Sequence, residues 1–141
     1  MKLCIVGDRD CDDYLFLVEA LKASKFKIKD VTEVVHGDAK GADRLGKTWG
    51  ETKGLFVKSF PAEWKNLNTP GAIVKEGPYG PYNYKAGFDR NQKMAEYADA
   101  FVVLQPHGIT PGSADIAEKA KKLNKPVYVH TGQKEGKKSK F

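Results

Sequence analysis

The strongest constraint on the fold is a regular alternation of short β-branched runs with longer segments of helical periodicity. Residues 2–7 and 31–36 have the pattern of strands that stop at glycine, and helical spacing of apolar residues follows each of them, at 12–23 and 41–53. The alternation continues with strands at 55–60, 100–104 and 126–130 and with helices at 90–97 and 113–123.

This alternation predicts an α/β fold, because strands separated by helices of this length are joined by right-handed crossovers. We expect a Rossmann-like, doubly wound and mostly parallel five-stranded sheet with helices on both faces. In such sheets a ligand binds beyond the carboxyl ends of the strands. The loops that follow strands are therefore the places to look for function.

Length and composition predict one cytoplasmic domain. The 141 residues suffice for one core, and no apolar run approaches the roughly 20 residues of a membrane helix. The start of the chain has no pattern of a secretory leader. Cys4 and Cys11 have neither metal-type spacing nor partner histidines, which favours a reducing compartment. No membrane contact is expected, and homo-oligomerisation stays open.

The basic charge is concentrated at the C-terminal end. Of the formal net charge of +6, half comes from residues 132–141, which contain four lysines and one glutamate. We expect a domain at 1–131 and a basic, disordered tail at 132–141. A solvated tail is favoured over an arm that binds nucleic acid.

Residues 62–88 form an unusually long connection with no periodicity of its own. Such connections are uncommon in compact domains unless they are functional or disordered. Tyr79, Tyr82 and Tyr84 lie in it among glycines and prolines. Two interpretations are balanced: a lid that stacks on a ligand, or a surface loop packed on the domain.

The loop after the second predicted strand is a candidate anion site. It runs from His36 and Gly37 to Gly41 and into a helix that begins with Asp43 and Arg44. Backbone N–H groups at a helix start attract phosphate. The alternatives are an ordinary turn, with Asp43 complementing the helix dipole and Arg44 in solvent.

The loop after the fourth parallel strand repeats this arrangement. Gly108 and Gly112 precede a helix in which Ser113 is expected as the N-cap and Asp115 in the first turn. Capping would explain Ser113, and the free N–H groups near Gly112 would still face the crevice. Two such helix starts on one sheet edge favour a phosphate-bearing ligand.

Two arginines complete the candidate ligand-binding residues. Arg9 and Arg90 are expected at the same edge, and the guanidinium group suits bidentate binding of phosphate or carboxylate. The histidines have no metal-type spacing, and the sequence contains no GxSxG, HExxH or CxxC motif. No metal and no cofactor are expected.

These motifs together resemble the YspA-type branch of the SLOG superfamily, which also includes the Lonely Guy phosphoribohydrolases and the DNA-processing protein DprA. The resemblance covers most of the chain. It is carried by VGDRD (6–10), VVHGDAKGADRLGKTWG (34–50), FPAEW (60–64), AGFDRNQKMAEYADAFVVL (86–104) and GSADIAEKA (112–120).

The resemblance implies a Rossmann-like fold that binds nucleotides or nucleotide-like small molecules. The Lonely Guy enzymes cleave an N-glycosidic bond with an arginine in RKxxM and a glutamate in PGGxGTxxE. Arg90 and Asn91 lie in a segment similar to the first motif, and Asp115 stands where the glutamate would fall. The resemblance thus implies Arg90 and Asp115 as catalytic residues of a phosphoribohydrolase and Asn91 as a ligand-binding residue.

Three functions remain open on the sequence. The first is nucleotide binding with hydrolysis, in which Arg90 holds phosphate and Asp115 stabilises positive charge on the ribose. The second is a non-catalytic sensor or sequestering module for a nucleotide signal. The third, less favoured, is binding of single-stranded nucleic acid through the basic tail and the tyrosines, which should depend steeply on salt.

Overall fold

The computed structural model describes residues 1–131. The prediction of a disordered tail at 132–141 lies outside the described residues. The strands are β1 (Lys2–Gly7), β2 (Glu33–His36), β3 (Phe56–Ser59), β4 (Val74–Gly77), β5 (Gly80–Asn83), β6 (Ala100–Gln105) and β7 (Val127–Thr131). The helices are α1 (Tyr14–Ser24), α2 (Ala42–Thr52), α3 (Ala86–Tyr97) and α4 (Pro111–Lys122), and a 3₁₀ turn spans Ile28–Asp30.

The main sheet has five parallel strands in the order β3-β2-β1-β6-β7. The chain therefore moves outward from β1 through β2 to β3, and then crosses to the other side of β1 to form β6 and β7. The point where the strand order reverses lies between β1 and β6, where ligands bind in open α/β sheets. The predicted α/β, Rossmann-like, five-stranded architecture is confirmed.

Two separate cores show that helices cover both faces of the sheet. Alternate residues of β1 and β6 point to opposite faces, as the two-residue period of a strand requires. Leu3 and Val102 pack with α1 and α2 on one face. Cys4 and Phe101 pack with α3 and α4 on the other. Both faces are apolar, which is typical of a buried parallel sheet.

The connection at 62–88 has more structure than the sequence predicted. β4 and β5 pair as an antiparallel hairpin, and α3 begins at Ala86, four residues earlier than expected. The sequence indicated no strands in this insertion, and its two strands are an addition made by the structure. The hairpin was missed because its strands contain Gly and Pro and do not alternate between apolar and polar residues.

Asn83 holds the parts of this insertion together, although its side chain carries no sequence signal. It is 1% exposed. Its Nδ2 donates to the carbonyl of Asn66 and to the Thr69 hydroxyl, and its Oδ1 accepts from the N–H groups of Ile73 and Lys85. One buried amide thus joins four points of the insertion.

Candidate functional site

A cleft of about 930 Å³ opens at the carboxyl ends of β1 and β6. It lies at the reversal of strand order, where the topology predicts a ligand site. Its polar side contains residues from the ends of β1, the start of α3 and the start of α4, and its aromatic side comes from the insertion and α3. Lining residues from the predicted set are Arg9, Asp43, Arg90, Asn91, Gly112 and Ser113.

Gly7 determines how close the first loop comes to β6. Its φ is +151°, and a Cβ there would lie 2.1 Å from the carbonyl oxygen of Leu104. The following N–H, of Asp8, donates to that same oxygen at 2.9 Å. A side chain at position 7 would therefore push apart the two strand ends that form the base of the cleft.

Arg90 has one bonded and one unbonded side. Its Nη1 donates to the carbonyl of Gly37 and, at 3.4 Å, to that of Phe60. Its Nε is sealed from solvent and has no acceptor among residues 1–131, and Nη2 forms no hydrogen bond there either. Burial lowers the pKa of Arg90, and nearby Arg9 acts in the same direction while Asp43 opposes it. Nη2 is therefore the accessible guanidinium donor that an oxyanion in the cleft can bind.

Asp43 organises the loop after β2. It is 3% exposed, and one carboxylate oxygen accepts from the Gly37 N–H at 2.6 Å. Burial raises its pKa to about 6, against the opposing effects of Arg90 and of N–H groups from Gly37, Ala39 and Gly7. Asp43 therefore does more than complement the dipole of α2.

Several N–H groups in the loop after β2, where the sequence predicts a phosphate site, are bonded within the protein. The N–H groups near Gly37 point to Asp43, and the Ala42 N–H donates to the Asp8 carbonyl at 3.1 Å. Gly41, with φ +75°, lets these loops meet, since a Cβ there would lie 2.4 Å from the Asp8 oxygen. The Asp43 carboxylate thus binds part of the donor set of this loop, and the phosphate site expected there stays a prediction.

His36 and Arg44 lie outside the lining of the cleft. His36 is 2% exposed, burial lowers its pKa, and its Nδ1 accepts from the Asp38 N–H at 2.9 Å. This geometry favours the structural interpretation of the histidine. Arg44 is exposed on α2. Gly37 lies behind the cleft, where its carbonyl accepts a hydrogen bond from Arg90. Gly108 lies in the loop before α4 and has a φ of +100°.

The start of α4 does present free donors to the cleft. The N-cap is Thr110 and Pro111 follows it, so the predicted N-cap role of Ser113 is wrong, because the helix begins two residues earlier. The N–H groups of Gly112 and Ser113 have no acceptor in the described chain, whereas that of Ala114 is bonded to Thr110. Buried Gln105 fixes this turn by accepting from the Thr110 N–H at 2.6 Å.

Asp115 lies beyond the first turn of α4 and is not part of the cleft lining. One of its oxygens pairs with Lys119, and the other accepts from Asn91 Nδ2 at 3.1 Å. The expectation of a first-turn dipole partner is therefore wrong. Both carboxylate oxygens are engaged within the protein, and Asp115 supports Asn91 from behind.

An aromatic wall, made of Trp64, Tyr79, Tyr82, Tyr84 and Phe88, lines the other side of the cleft. Trp64 contacts Tyr82 edge to face with centroids 6.3 Å apart, and Tyr84 contacts Phe88 in the same way at 5.5 Å. Tyr79, at the hairpin tip, is 90% exposed. Sequence reasoning singled out the tyrosines but missed Trp64 and Phe88, which occur in the FPAEW and AGFDRN segments without any special spacing.

No helix within residues 1–131 has the length and apolar character needed to cross a bilayer. The same residues contain no cluster of three or more His, Cys, Asp or Glu side chains placed to hold a metal ion.

The first half of the chain, which contributes part of this site, is similar to a known protein family. Residues 1–67 match the family model described as "YspA, cpYpsA-related SLOG family". The first 67 residues are thus similar to this family. The matched part includes β1 to β3, Arg9 and the loop organised by Asp43. The resemblance seen in the sequence is confirmed.

A solved structure is similar in fold to most of the chain. It is the X-ray structure of DNA processing protein A (DprA) from Streptococcus pneumoniae, with a TM-score of 0.65 and 19% sequence identity. The match covers 91% of this chain and 49% of that one, so the chain spans about half the length of its structural neighbour. At this identity the likeness concerns the fold. No curated protein matches the sequence.

Proposed function

We propose that the cleft binds a nucleotide or a nucleotide-derived small molecule, with a phosphate at Arg90 and the base on the aromatic wall. The observation that carries this proposal is the presence, in one cleft, of Arg90, whose Nη2 has no hydrogen-bond partner among residues 1–131, and a set of aromatic rings. A nucleotide has both matching parts: an oxyanion and a flat ring system.

Three groups support phosphate binding. Arg90 is held in place by its Nη1 bonds, so little side-chain entropy is lost when the other edge binds an anion. The N–H groups of Gly112 and Ser113 add free donors at the positive end of α4. Arg9 is exposed at the rim and contributes long-range attraction.

The aromatic wall supports binding of the base. Aromatic side chains stack with any base, because every base has a π-face, and each stacked base contributes roughly 1–3 kcal/mol. The volume of about 930 Å³ is near the upper end of the range of about 300–1,000 Å³ for small-molecule sites. The cleft thus has space for a complete nucleotide.

Different observations bear on whether the cleft only binds its ligand, hydrolyses it, or binds single-stranded nucleic acid. Binding without chemistry, as in a sensor or sequestering module, is favoured here, because both oxygens of Asp115 are bonded within the protein. Hydrolysis by Arg90 and Asp115 stays a prediction. Single-stranded nucleic acid is a second candidate, since Tyr79 at the open rim could stack a further base. A cytoplasmic location and self-association also stay predictions.

Calorimetric titration tests the proposal with nucleoside 5′-monophosphates and their parent nucleosides. One charge-assisted contact is expected to make the nucleotide bind about tenfold or more tighter. Arg90→Ala and Arg9→Ala should reduce this preference. Arg44→Ala is the matched control, because Arg44 is an exposed arginine outside the cleft lining, and it should leave the preference unchanged.

The contradicting result is equal affinity for nucleotide and nucleoside, or no binding of either. Repeating the titration with a short single-stranded oligonucleotide at several salt concentrations examines the second candidate. A nucleic-acid binder loses affinity steeply with salt, whereas a cleft that holds one phosphate responds weakly.

A further inference from the structure

Asn91 places a fixed hydrogen-bond acceptor in the cleft. It is 6% exposed, and its Nδ2 donates to the Gly112 carbonyl and to Asp115, both at 3.1 Å. Because both partners are oxygens, the amide can have only one orientation. Its Oδ1 has no donor among residues 1–131 and is not sealed from solvent. The space that Asn91 lines is the cleft.

Ser113 adds a hydroxyl beside this acceptor. It is also 6% exposed and lines the cleft, and its Oγ forms no hydrogen bond within the described residues. The carbonyl bonded to Asn91 belongs to Gly112, the residue before Ser113, so the two side chains are neighbours across the start of α4. Neither Asn91 Oδ1 nor Ser113 Oγ has a partner among residues 1–131, and both atoms stay accessible to a molecule in the cleft.

The position of this pair relative to Arg90 indicates which part of a nucleotide would meet it. Asn91 follows Arg90 directly in α3, with Cα atoms about 3.8 Å apart. In a nucleoside 5′-phosphate the sugar lies between the phosphate and the base. A nucleotide with its phosphate at Arg90 and its base on the aromatic wall would bring its sugar to the remaining polar groups of the cleft lining, which include Asn91 Oδ1 and Ser113 Oγ.

We infer that Asn91 Oδ1 and Ser113 Oγ bind sugar hydroxyl groups, and that the ligand is a ribonucleotide rather than a deoxyribonucleotide. This inference rests on the proposed function of the cleft. A sugar hydroxyl donates to Asn91 Oδ1, and the Ser113 hydroxyl either donates or accepts. Asp115 is a positioning residue in this arrangement, since it holds the amide of Asn91 in orientation.

The test compares dissociation constants of the four ribonucleoside 5′-monophosphates with those of their 2′-deoxy and 3′-deoxy counterparts. The wild-type protein should bind the ribonucleotide about three- to tenfold tighter than at least one deoxy form, the factor expected for one neutral hydrogen bond. Ser113→Ala and Asn91→Ala should each narrow this ratio. Thr48→Ala, which removes an exposed hydroxyl from α2 outside the cleft lining, should leave it unchanged.

Ser113→Ala keeps the test informative if Asn91→Ala fails to fold, because the Ser113 hydroxyl has no partner within the described residues. Equal affinity of the wild type for ribo and deoxy forms overturns the inference and leaves the proposed function intact. So does a preference that survives both substitutions. If the wild type binds none of these nucleotides, the proposed function fails, and the inference fails with it.

Discussion

Asp43 is buried and Arg90 half-buried in the lining of the cleft, and the two form no direct ion pair. Asp43 accepts from backbone N–H groups, including that of Gly37, while Arg90 donates to the Gly37 carbonyl. The loop that contains Gly37 therefore lies between the two charged side chains and is bonded to both. Each group is desolvated, and each reduces the cost of charging the other. The loop between β2 and α2 is thereby fixed without a bound ligand.

The titration of Asp43 provides a prediction at this scale. Its folded pKa of about 6 exceeds the reference value of 3.8, so the folded protein holds this proton more tightly than the unfolded chain. The contribution to stability is full below about pH 4 and is lost as the pH rises through about 6. We expect the free energy of unfolding of the wild type, relative to Asp43→Asn, to fall between these pH values in urea denaturation.

A relative stability that rises with pH over this interval would contradict the assignment. The carboxyl resonance of Asp43, followed by ¹³C NMR, gives an independent midpoint. The control is Asp10→Asn, which removes an exposed aspartate from the loop after β1 and should not alter the slope.

Residue identity was predictable from the sequence where a local pattern carried it. Arg90 and Asn91 occur in a motif, and Gly112 precedes a helix, so all three were singled out. The roles of Asp43 and Asp115 were not predictable, because they depend on contacts with residues 6 or 24 positions away, Gly37 and Asn91. The sequence shows that a carboxylate is present but not which donors surround it.

At the scale of elements, the hairpin is the feature that distinguishes this cleft. It brings Tyr79 and Tyr82 to the cleft, beside Trp64. It could not be predicted from periodicity, because β4 and β5 are mostly exposed and pair with each other rather than with the main sheet. Its position depends on Asn83, whose four side-chain bonds link segments that are distant in sequence.

We therefore expect Asn83→Ala to loosen the insertion and to leave the sheet intact. Removing the amide leaves the Ile73 and Lys85 N–H groups without their acceptor, at a cost of about 1–3 kcal/mol. Hydrogen exchange should accelerate across residues 66–85 and not in β1 or β6. Asn68→Ala is the control, since Asn68 is an exposed asparagine of the same insertion. Accelerated exchange throughout the sheet would contradict a local role.

At the scale of the whole molecule, the sequence was most informative about the sheet. The strands at β1, β2 and β6 are runs of buried apolar residues, and glycine or a polar loop ends each of them. Because the crossover connections between parallel strands are right-handed, a chain with these runs can form only a few sheet topologies. The edge at which the ligand binds followed from this topology, before any side chain was considered.

The central claim is that one cleft holds both the phosphate and the base of a nucleotide. The measurement that tests it most directly is a ¹H–¹⁵N NMR titration with a nucleoside 5′-monophosphate. We predict saturable shift changes at the Trp64 indole, Arg90, Gly112 and Ser113, with Arg44 and the exposed edge strand β3 unchanged. Changes confined to residues outside the cleft, or no changes at saturating nucleotide, would contradict the claim.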